Sequence, residues 1–158
     1  MEKVRLKVIG IEDSKLRTGA YTLVLSEEDG KRRLPIIIGG YEAQAILSEV
    51  ENMLPPRPLT HDLFKNFALS FKIDITEVLI YNLKEGVFHS KLVCSDGNNT
   101  HAIEARTSDA IAMAVRFNCP IYTYEDILSQ AGVNVDEETG FATPGPEPAA
   151  RKRESKGG

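Results

Sequence analysis

At 158 residues the chain has the length of one ordinary domain, and its 42% hydrophobic and 27% charged residues exclude a fibrous or wholly disordered protein. No run approaches the roughly 18 apolar residues of a membrane-spanning helix, and the N-terminus, MEKVRLKVIG, lacks the continuous apolar stretch of a signal peptide. The net charge of −4 argues against tight, non-specific binding of nucleic acid, although it leaves room for an enzyme that holds one phosphate locally. We therefore predict a soluble, cytoplasmic protein with no membrane contact.

The first forty residues alternate polar and branched aliphatic side chains, which is typical of half-buried strands. We predict strands at residues 4–8, 21–26 and 33–38, with the last two joined as a hairpin. Pro35 lies inside the third strand, which indicates an edge position or a bulge.

Two helices are predicted next. The stretch 42–53 has one apolar stripe at helical spacing, and the prolines of 55–58 end it. Thr60 is the expected N-cap of the second helix. Five apolar residues of this second helix are predicted to form its buried face: Leu63, Phe64, Phe67, Ala68 and Phe71.

The second half of the chain begins with three β segments, at 73–83, 87–95 and 100–105, which the intervening turn residues predict to be an antiparallel meander. Thr107 or Ser108 is expected to cap a third helix that runs to about Phe117. A short strand at 120–123 and a short helix at 125–131 complete the predicted elements.

The composition changes after Val133, because residues 134–158 contain three prolines, four glycines and a single aromatic residue. Such a segment cannot bury enough apolar surface to fold alone. We predict one α+β domain over residues 1–133 and a disordered tail over residues 134–158. The two cysteines, Cys94 and Cys119, are predicted to be free thiols, since their spacing fits neither a metal site nor a disulfide framework.

The segment Arg57-Pro58-Leu59-Thr60-His61-Asp62 places a guanidinium, an imidazole and a carboxylate at the start of a predicted helix. Exposed N–H groups at such a position favour anions. Arg57 is suited to a phosphate, His61 to proton transfer and Asp62 to a divalent metal. The alternative is purely structural, with Thr60 as a cap and Asp62 as a first-turn acid.

A similar pattern recurs at Arg106-Thr107-Ser108-Asp109, again where a strand leads into a helix. Taken alone, Ser108 and Asp109 are more typical of a helix cap than of a catalytic site. Two such junctions in one small chain would supply arginines and carboxylates to one cleft if they met. A third segment, Gly39-Gly40-Tyr41-Glu42, adds Glu42 as a weaker candidate acidic ligand, although a tight turn explains its glycines.

Together these segments resemble the bifunctional nuclease (BFN) family. The resemblance is carried by LPIIIGGYEAQAI at 34–46, RPLTHDL at 57–63 and ARTSDAIAMAVRFNCPIY at 105–122, in the same order and spacing. It implies an α+β fold with a strongly bent, largely antiparallel sheet flanked by about four helices, and a tendency to form homo-oligomers. It also implies nuclease activity on RNA and DNA, the activity described for plant members.

We hypothesise a metal-assisted phosphodiesterase on this basis. His61, Asp62 and Asp109 would be catalytic, and Asp62, Asp109 and Glu42 would hold Mg²⁺ or Mn²⁺. Four further residues would bind the substrate: Arg57, Thr60, Arg106 and Ser108. One alternative is a non-catalytic scaffold module that binds an anion or a partner, which the acidic net charge favours. Another is that the two polar junctions are buried structural networks or lie at a subunit interface.

Overall fold

The computed structural model describes residues 2–14, 18–135 and 142–144, the last of these as backbone. The α+β class is confirmed, with a mostly antiparallel, open sheet and four helices in this part of the chain. The strands are β1 (Lys3–Asp13), β2 (Ala20–Glu27), β3 (Arg32–Gly39), β4 (Asp74–Lys84), β5 (Val87–Ser95), β6 (Thr100–Arg106), β7 (Ile121–Tyr124), β8 (Val133–Val135) and β9 (Ala142–Pro144). The helices are α1 (Gly40–Val50), α2 (Thr60–Ser70), α3 (Thr107–Phe117) and α4 (Glu125–Ala131).

The chain forms two compact units. One comprises residues 1–40 and 123–158, and the other comprises Tyr41–Tyr122. No helix of the described residues is long and apolar enough to cross a bilayer. The strength of the sheet's bend, the single domain over 1–133 and a disordered tail stay predictions. Strand β8 continues to Val135, two residues into the predicted tail, and the basic cluster at 151–153 lies outside the described residues.

The first unit is built on antiparallel pairs β1–β2 and β2–β3. In β3 the alternate residues Leu34, Ile36 and Ile38 are buried, which is the period-2 pattern expected of a strand with one covered face. Strand β8 pairs with β3 only at Arg32 and Arg33. Pro35 lies beyond that short pairing, so the predicted edge position explains how the strand tolerates a residue without an N–H.

The second unit contains the predicted meander, with β4 antiparallel to β5 and β5 antiparallel to β6. Glu85 and Gly86 both have positive φ angles, 52° and 80°, as a tight two-residue hairpin turn requires. Helix α3 packs against this sheet, and five consecutive residues in the middle of the helix are buried: Ala110, Ile111, Ala112, Met113 and Ala114. It ends at Asn118, whose left-handed conformation is a common helix stop.

Both predicted caps are displaced by one or two residues. Helix α2 has Leu59 at its N-cap position, and α3 has Arg106, neither with a side-chain cap hydrogen bond. Thr60 and Thr107 are instead the first helical residues. The Thr107 hydroxyl is buried 2.7 Å from Ser90 Oγ and donates to the Phe88 carbonyl at 3.2 Å, so it anchors α3 to β5.

The predicted buried face of α2 is wrong except at Ala68, which is 5% exposed. Leu63, Phe64, Phe67 and Phe71 are between 49% and 65% exposed. An apolar stripe indicates that a helix needs a covering surface, but it does not say that the rest of the same chain supplies it. Helix α2 is held on its other side, by polar contacts to α3.

Candidate functional site

A cleft of about 620 Å³ lies within the second unit, among α1, α2, α3 and the β5–β6 pair. Its wall is largely apolar, and its polar side chains come from the first turns of the three helices and from β6. The lining residues are Tyr41, Glu42, Thr60, His61, Phe64, Leu92, Ile103, Glu104, Ala105, Arg106, Asp109 and Met113. The cleft therefore joins the two predicted polar junctions and the segment that contains Glu42.

The polar centre of the cleft is a chain of three side chains. His61 Nε2 lies 2.9 Å from Asp109 Oδ1, and Arg106 Nε donates to Asp109 Oδ2 at 2.8 Å. His61 is in the first turn of α2 and Asp109 in the first turn of α3. The contact between them is what brings the two junctions, 48 residues apart in sequence, into one site.

The protonation state of Asp109 determines where the shared proton lies in this set of three side chains. Burial alone would raise the pKa of Asp109, but hydrogen bonds from Arg106 and His61 outweigh burial and lower it. An ionised carboxylate only accepts hydrogen bonds, so His61 Nε2 carries the proton that it shares with Asp109. In the neutral imidazole, Nδ1 then has the lone pair and is able to accept a proton.

Arg106 links Asp109 to Glu42. Its Nη1 atom lies 3.6 Å from Glu42 Oε2, and the hydrogen bond with Asp109 is the main cause of the raised pKa of Arg106. The arginine side chain is 68% exposed, whereas that of Glu42 is 22% exposed. Arg106 thus offers donors toward solvent while its position is set by two carboxylates.

Asp62 is adjacent to His61 in sequence but points elsewhere. Its Oδ2 atom accepts the Leu59 N–H at 2.8 Å, and its Oδ1 atom accepts from Arg116 Nε at 2.7 Å. Burial raises the pKa of Asp62, but these two donors outweigh burial and lower it. Asp62 does not line the cleft. It fixes the first turn of α2, and with it the position of His61.

Arg116 is one of two residues near the cleft that the sequence did not indicate, the other being Glu104. Its side chain is 1% exposed, and its Nη1 atom donates to the Ala45 and Ala112 carbonyls at 2.7 and 3.1 Å. Together with Asp62 it joins α1, α2 and α3 at one point. The only sequence signal is a single arginine at the end of the alanine-rich stripe of α3, a position where a charged residue is unexpected unless it is paired.

Apart from Arg106, the residues predicted to bind substrate do not all lie in the cleft. Thr60 lines the cleft, whereas Arg57 and Ser108 do not. Arg57 lies in the exposed loop before α2, and Ser108 is partly buried in the first turn of α3. Of the eight predicted site residues, five share the cleft: Glu42, Thr60, His61, Arg106 and Asp109.

Glu104 is a cleft residue that the sequence analysis did not select. Tyr81 donates a hydrogen bond to Glu104 Oε1, and His89 Nδ1 lies 3.4 Å from Glu104 Oε2. The Tyr81 hydrogen bond lowers the pKa of Glu104. Across the β5–β6 ladder, His89 pairs with Arg106 and His101 pairs with Cys94.

The arrangement of carboxylates bears on the predicted Mg²⁺ or Mn²⁺. Among the described residues, no group of three or more His, Cys, Asp or Glu side chains is placed to share a metal ion. Glu42 and Asp109 are both paired with Arg106, and Asp62 is paired with Arg116. Because these acidic ligands already face guanidinium groups, this donor set does not fit a resident divalent cation in the arrangement described.

Comparison with known proteins places the chain in a family. A family profile described as "Bifunctional nuclease domain" matches residues 23–136. "Uncharacterized protein Rv1829" of Mycobacterium tuberculosis (strain ATCC 25618 / H37Rv) is 38% identical over 139 residues, which are 88% of this chain and 81% of that protein. "Uncharacterized protein MT1877" of strain CDC 1551 / Oshkosh matches equally. "Bifunctional nuclease 1" of Oryza sativa subsp. japonica is 28% identical over 75% of this chain but only 37% of its own length. The chain therefore belongs to the bifunctional nuclease domain family.

Proposed function

We propose that the chain hydrolyses phosphodiester bonds of RNA or DNA in the cleft, with His61 as the proton-transfer residue and Arg106 as the phosphate-binding residue. The observation that carries the proposal is the hydrogen-bonded set of His61, Asp109 and Arg106, which lines the cleft. A histidine oriented by a carboxylate, next to an exposed guanidinium, combines general acid–base catalysis with stabilisation of an oxyanion. The rice relatives are named as bifunctional nucleases, which supports a nucleic-acid substrate.

The chemistry can be written with a water molecule as the nucleophile. His61 Nδ1 takes a proton from the water molecule while the oxygen of that water forms a bond to the phosphorus atom. Asp109 accepts the hydrogen bond from Nε2–H and stabilises the imidazolium that results. The bond from phosphorus to the leaving oxygen then breaks, and that oxygen takes up a proton from the imidazolium. Arg106 offsets the negative charge that grows on the phosphoryl oxygens.

Asp62 has a different role in this proposal from the one that the sequence predicts. Both of its carboxylate oxygens are engaged by groups of the protein, so it positions His61 and does not contact the substrate. The requirement for Mg²⁺ or Mn²⁺ stays a prediction, which the assay below tests directly.

A second candidate function is a binding module without turnover. The observation that favours it is the apolar wall of the cleft, formed by Phe64, Leu92, Ile103 and Met113. Such a wall suits a ligand with an apolar body and one anionic group, which Arg106 would hold.

The test is cleavage of labelled single-stranded RNA and DNA by highly purified protein. Wild type, His61→Ala, Asp109→Asn and His101→Ala are prepared identically and assayed with Mg²⁺, with Mn²⁺ and with EDTA. His101 is an exposed histidine of β6 outside the cleft, so it is the matched control. We expect loss of at least about 100-fold in His61→Ala, a smaller loss in Asp109→Asn, and no change in His101→Ala.

Equal cleavage by all four preparations would indicate a contaminant and would contradict the proposal. Absence of cleavage, together with saturable binding of an oligonucleotide or a small anion that Arg106→Gln weakens, would favour the binding module. Loss of activity in EDTA that Mg²⁺ or Mn²⁺ restores would establish the metal and would require Arg106 to move away from Asp109 or Glu42.

A further inference from the structure

Two aromatic side chains in the lining of the cleft are exposed to solvent. Tyr41 is 89% exposed and Phe64 is 49% exposed. Neither ring belongs to the core, and the proposed hydrolysis gives neither of them a role. Because burying an apolar ring is favourable, a ring that is exposed in a cleft is available to a ligand.

Phe64 lies beside the proton-transfer residue of the cleft. His61 and Phe64 are three residues apart in α2, and side chains at that spacing are neighbours on a helix surface, with Cβ atoms about 5–6 Å apart. His61 in turn lies 2.9 Å from Asp109. Phe64 is therefore on the α2 side of the hydrogen-bonded set of His61, Asp109 and Arg106.

Tyr41 lies on the α1 side of the same set. It directly precedes Glu42 in the first turn of α1, and the Glu42 carboxylate is 3.6 Å from the Arg106 guanidinium. The two aromatic residues thus come from different helices, Phe64 next to the proton-transfer residue and Tyr41 next to the carboxylate that faces the phosphate-binding residue.

The charge of the cleft limits what a phosphate backbone contributes to binding. Among the described residues that line the cleft, Arg106 is the one Lys or Arg, and three carboxylates line it too, those of Glu42, Glu104 and Asp109. The affinity that a protein gains from a nucleic-acid backbone grows with the number of phosphates that it neutralises. One arginine supports one phosphate contact, so any further affinity for a strand has to come from its bases.

Aromatic rings bind bases by stacking. Every base has a π-face, so stacking on a tyrosine or phenylalanine ring needs no particular sequence. In a duplex each base is paired and stacked on its neighbours, and it reaches a protein ring only after it is unpaired and unstacked, which costs free energy. Two exposed rings in a cleft with one cation therefore favour an unpaired strand over a duplex.

We propose that Tyr41 and Phe64 stack on the bases next to the phosphate that Arg106 holds, so that the cleft accepts an unpaired strand and excludes a duplex. This proposal rests on the proposed function, because it takes the phosphate at Arg106 to belong to RNA or DNA. Tyr41 and Phe64 determine specificity and take no part in proton transfer.

A fluorescent reporter at position 41 tests the stacking directly. The chain contains no tryptophan, so Tyr41→Trp introduces a single indole, and His61→Ala in the same protein prevents cleavage during the titration. The ligands are an oligothymidylate, the same strand paired with oligoadenylate, and a strand of equal length made of abasic sugars, which has the phosphates without the bases. We expect saturable quenching by the unpaired strand and at least about 10-fold weaker binding of the other two.

The contribution of each ring is measured with a labelled oligothymidylate and variants in the His61→Ala background. Tyr41→Ala and Phe64→Ala should each weaken binding by about 5- to 150-fold, and Tyr41→Phe, which keeps the ring, should bind like the parent. Phe71→Ala is the matched control, because Phe71 follows the last residue of α2, is 65% exposed and does not line the cleft. Thermal unfolding monitored by circular dichroism checks that each variant folds, and Tyr41→Ala removes little packing because the ring is 89% exposed.

The salt dependence of binding counts the phosphates that the protein neutralises. With one phosphate held, the affinity for the unpaired strand should fall only about 3-fold between about 50 mM and about 200 mM salt. A fall of about 50-fold or more would mean that about four phosphates carry the binding, and it would overturn the proposal.

The outcomes separate this proposal from the proposed function. If wild type cleaves the oligothymidylate and requires His61, while Tyr41→Ala and Phe64→Ala cleave it equally well, the stacking is wrong and the hydrolysis stands. If the unpaired strand quenches the reporter but wild type does not cleave it, the stacking stands and the hydrolysis is wrong. Equal binding of the abasic strand or of the duplex would overturn the stacking, and absence of binding by every strand would overturn both.

Discussion

Arg32 in the first compact unit and Arg116 in the second each join several elements, and these two arginines differ in their surroundings. Arg32 of the first unit is 28% exposed and pairs with Glu27 at 2.7 Å and with Glu125 at 2.6 Å. Arg116 of the second unit is 1% exposed and pairs with one carboxylate, the remaining donors being used by backbone carbonyls and a serine. Arg32 thus pairs with two carboxylates and is partly exposed to water. Arg116 pairs with one carboxylate and is almost completely shielded from water.

This contrast indicates different roles. A partly exposed ion pair contributes little to stability, since water screens it and solvates either partner alone. A buried arginine is costly unless every donor is satisfied, and its pairing specifies one arrangement of the helices around it. Arg116 accordingly determines where the first turn of α2, and therefore His61, lies.

The largest expected effect is from Arg116→Met. The substitution removes the cation that pairs with Asp62 and one donor to each of the Ala45 and Ala112 carbonyls, so we expect a loss of about 3–5 kcal/mol in the free energy of unfolding. Urea denaturation monitored by circular dichroism measures it. Asp62→Asn, which keeps an acceptor for the Leu59 N–H but removes the charge, should cost less. A loss below about 1 kcal/mol in Arg116→Met would mean that the buried pair does not organise the helices.

A smaller effect is expected from Arg32→Met, about 1 kcal/mol at neutral pH. The hydrogen bonds from Arg32 and then Ser129 lower the pKa of Glu125 from 4.5 to about 2. A lowered pKa in the folded state adds stability that is fully present above the unfolded value and is lost as the pH falls through the folded value.

Wild type should therefore lose stability between about pH 4.5 and about pH 2, and Arg32→Met should lose less over the same interval. Urea midpoints at several pH values provide the comparison. Parallel pH profiles for the two proteins would show that Arg32 does not control the titration of Glu125.

The smallest effect on stability is expected from Arg106→Gln, no more than about 0.5 kcal/mol, because the Arg106 side chain is 68% exposed. The same substitution should weaken binding of a phosphate-bearing ligand, since it removes the cation of the cleft. Unfolding and binding are measured on the same preparation. A large loss of stability with unchanged binding would reverse the roles that we assign to Arg106 and Arg116.

The sequence predicts the elements of this protein well and the partners of its side chains less well. Alternation fixes β1, β2 and β3, and the turn at Glu85-Gly86 fixes the hairpin of β4 and β5, because these signals depend on neighbours in the chain. The same local information predicts wrongly that Thr60 caps α2. Leu59 occupies the N-cap position instead, and its N–H donates to the Asp62 carboxylate at the third helical position, which is one half of a capping box.

The amino-acid sequence by itself determined the α+β class, the order of β1 to β7 and of the four helices along the chain, the two polar junctions and the resemblance to a family. Only the tertiary structure decided that His61 meets Asp109, that Asp62 turns instead to Arg116, and that the apolar side of α2 faces solvent. The physical reason is that hydrogen bonds between side chains on different helices depend on how those helices pack, and packing is set by contacts between residues that are far apart in sequence.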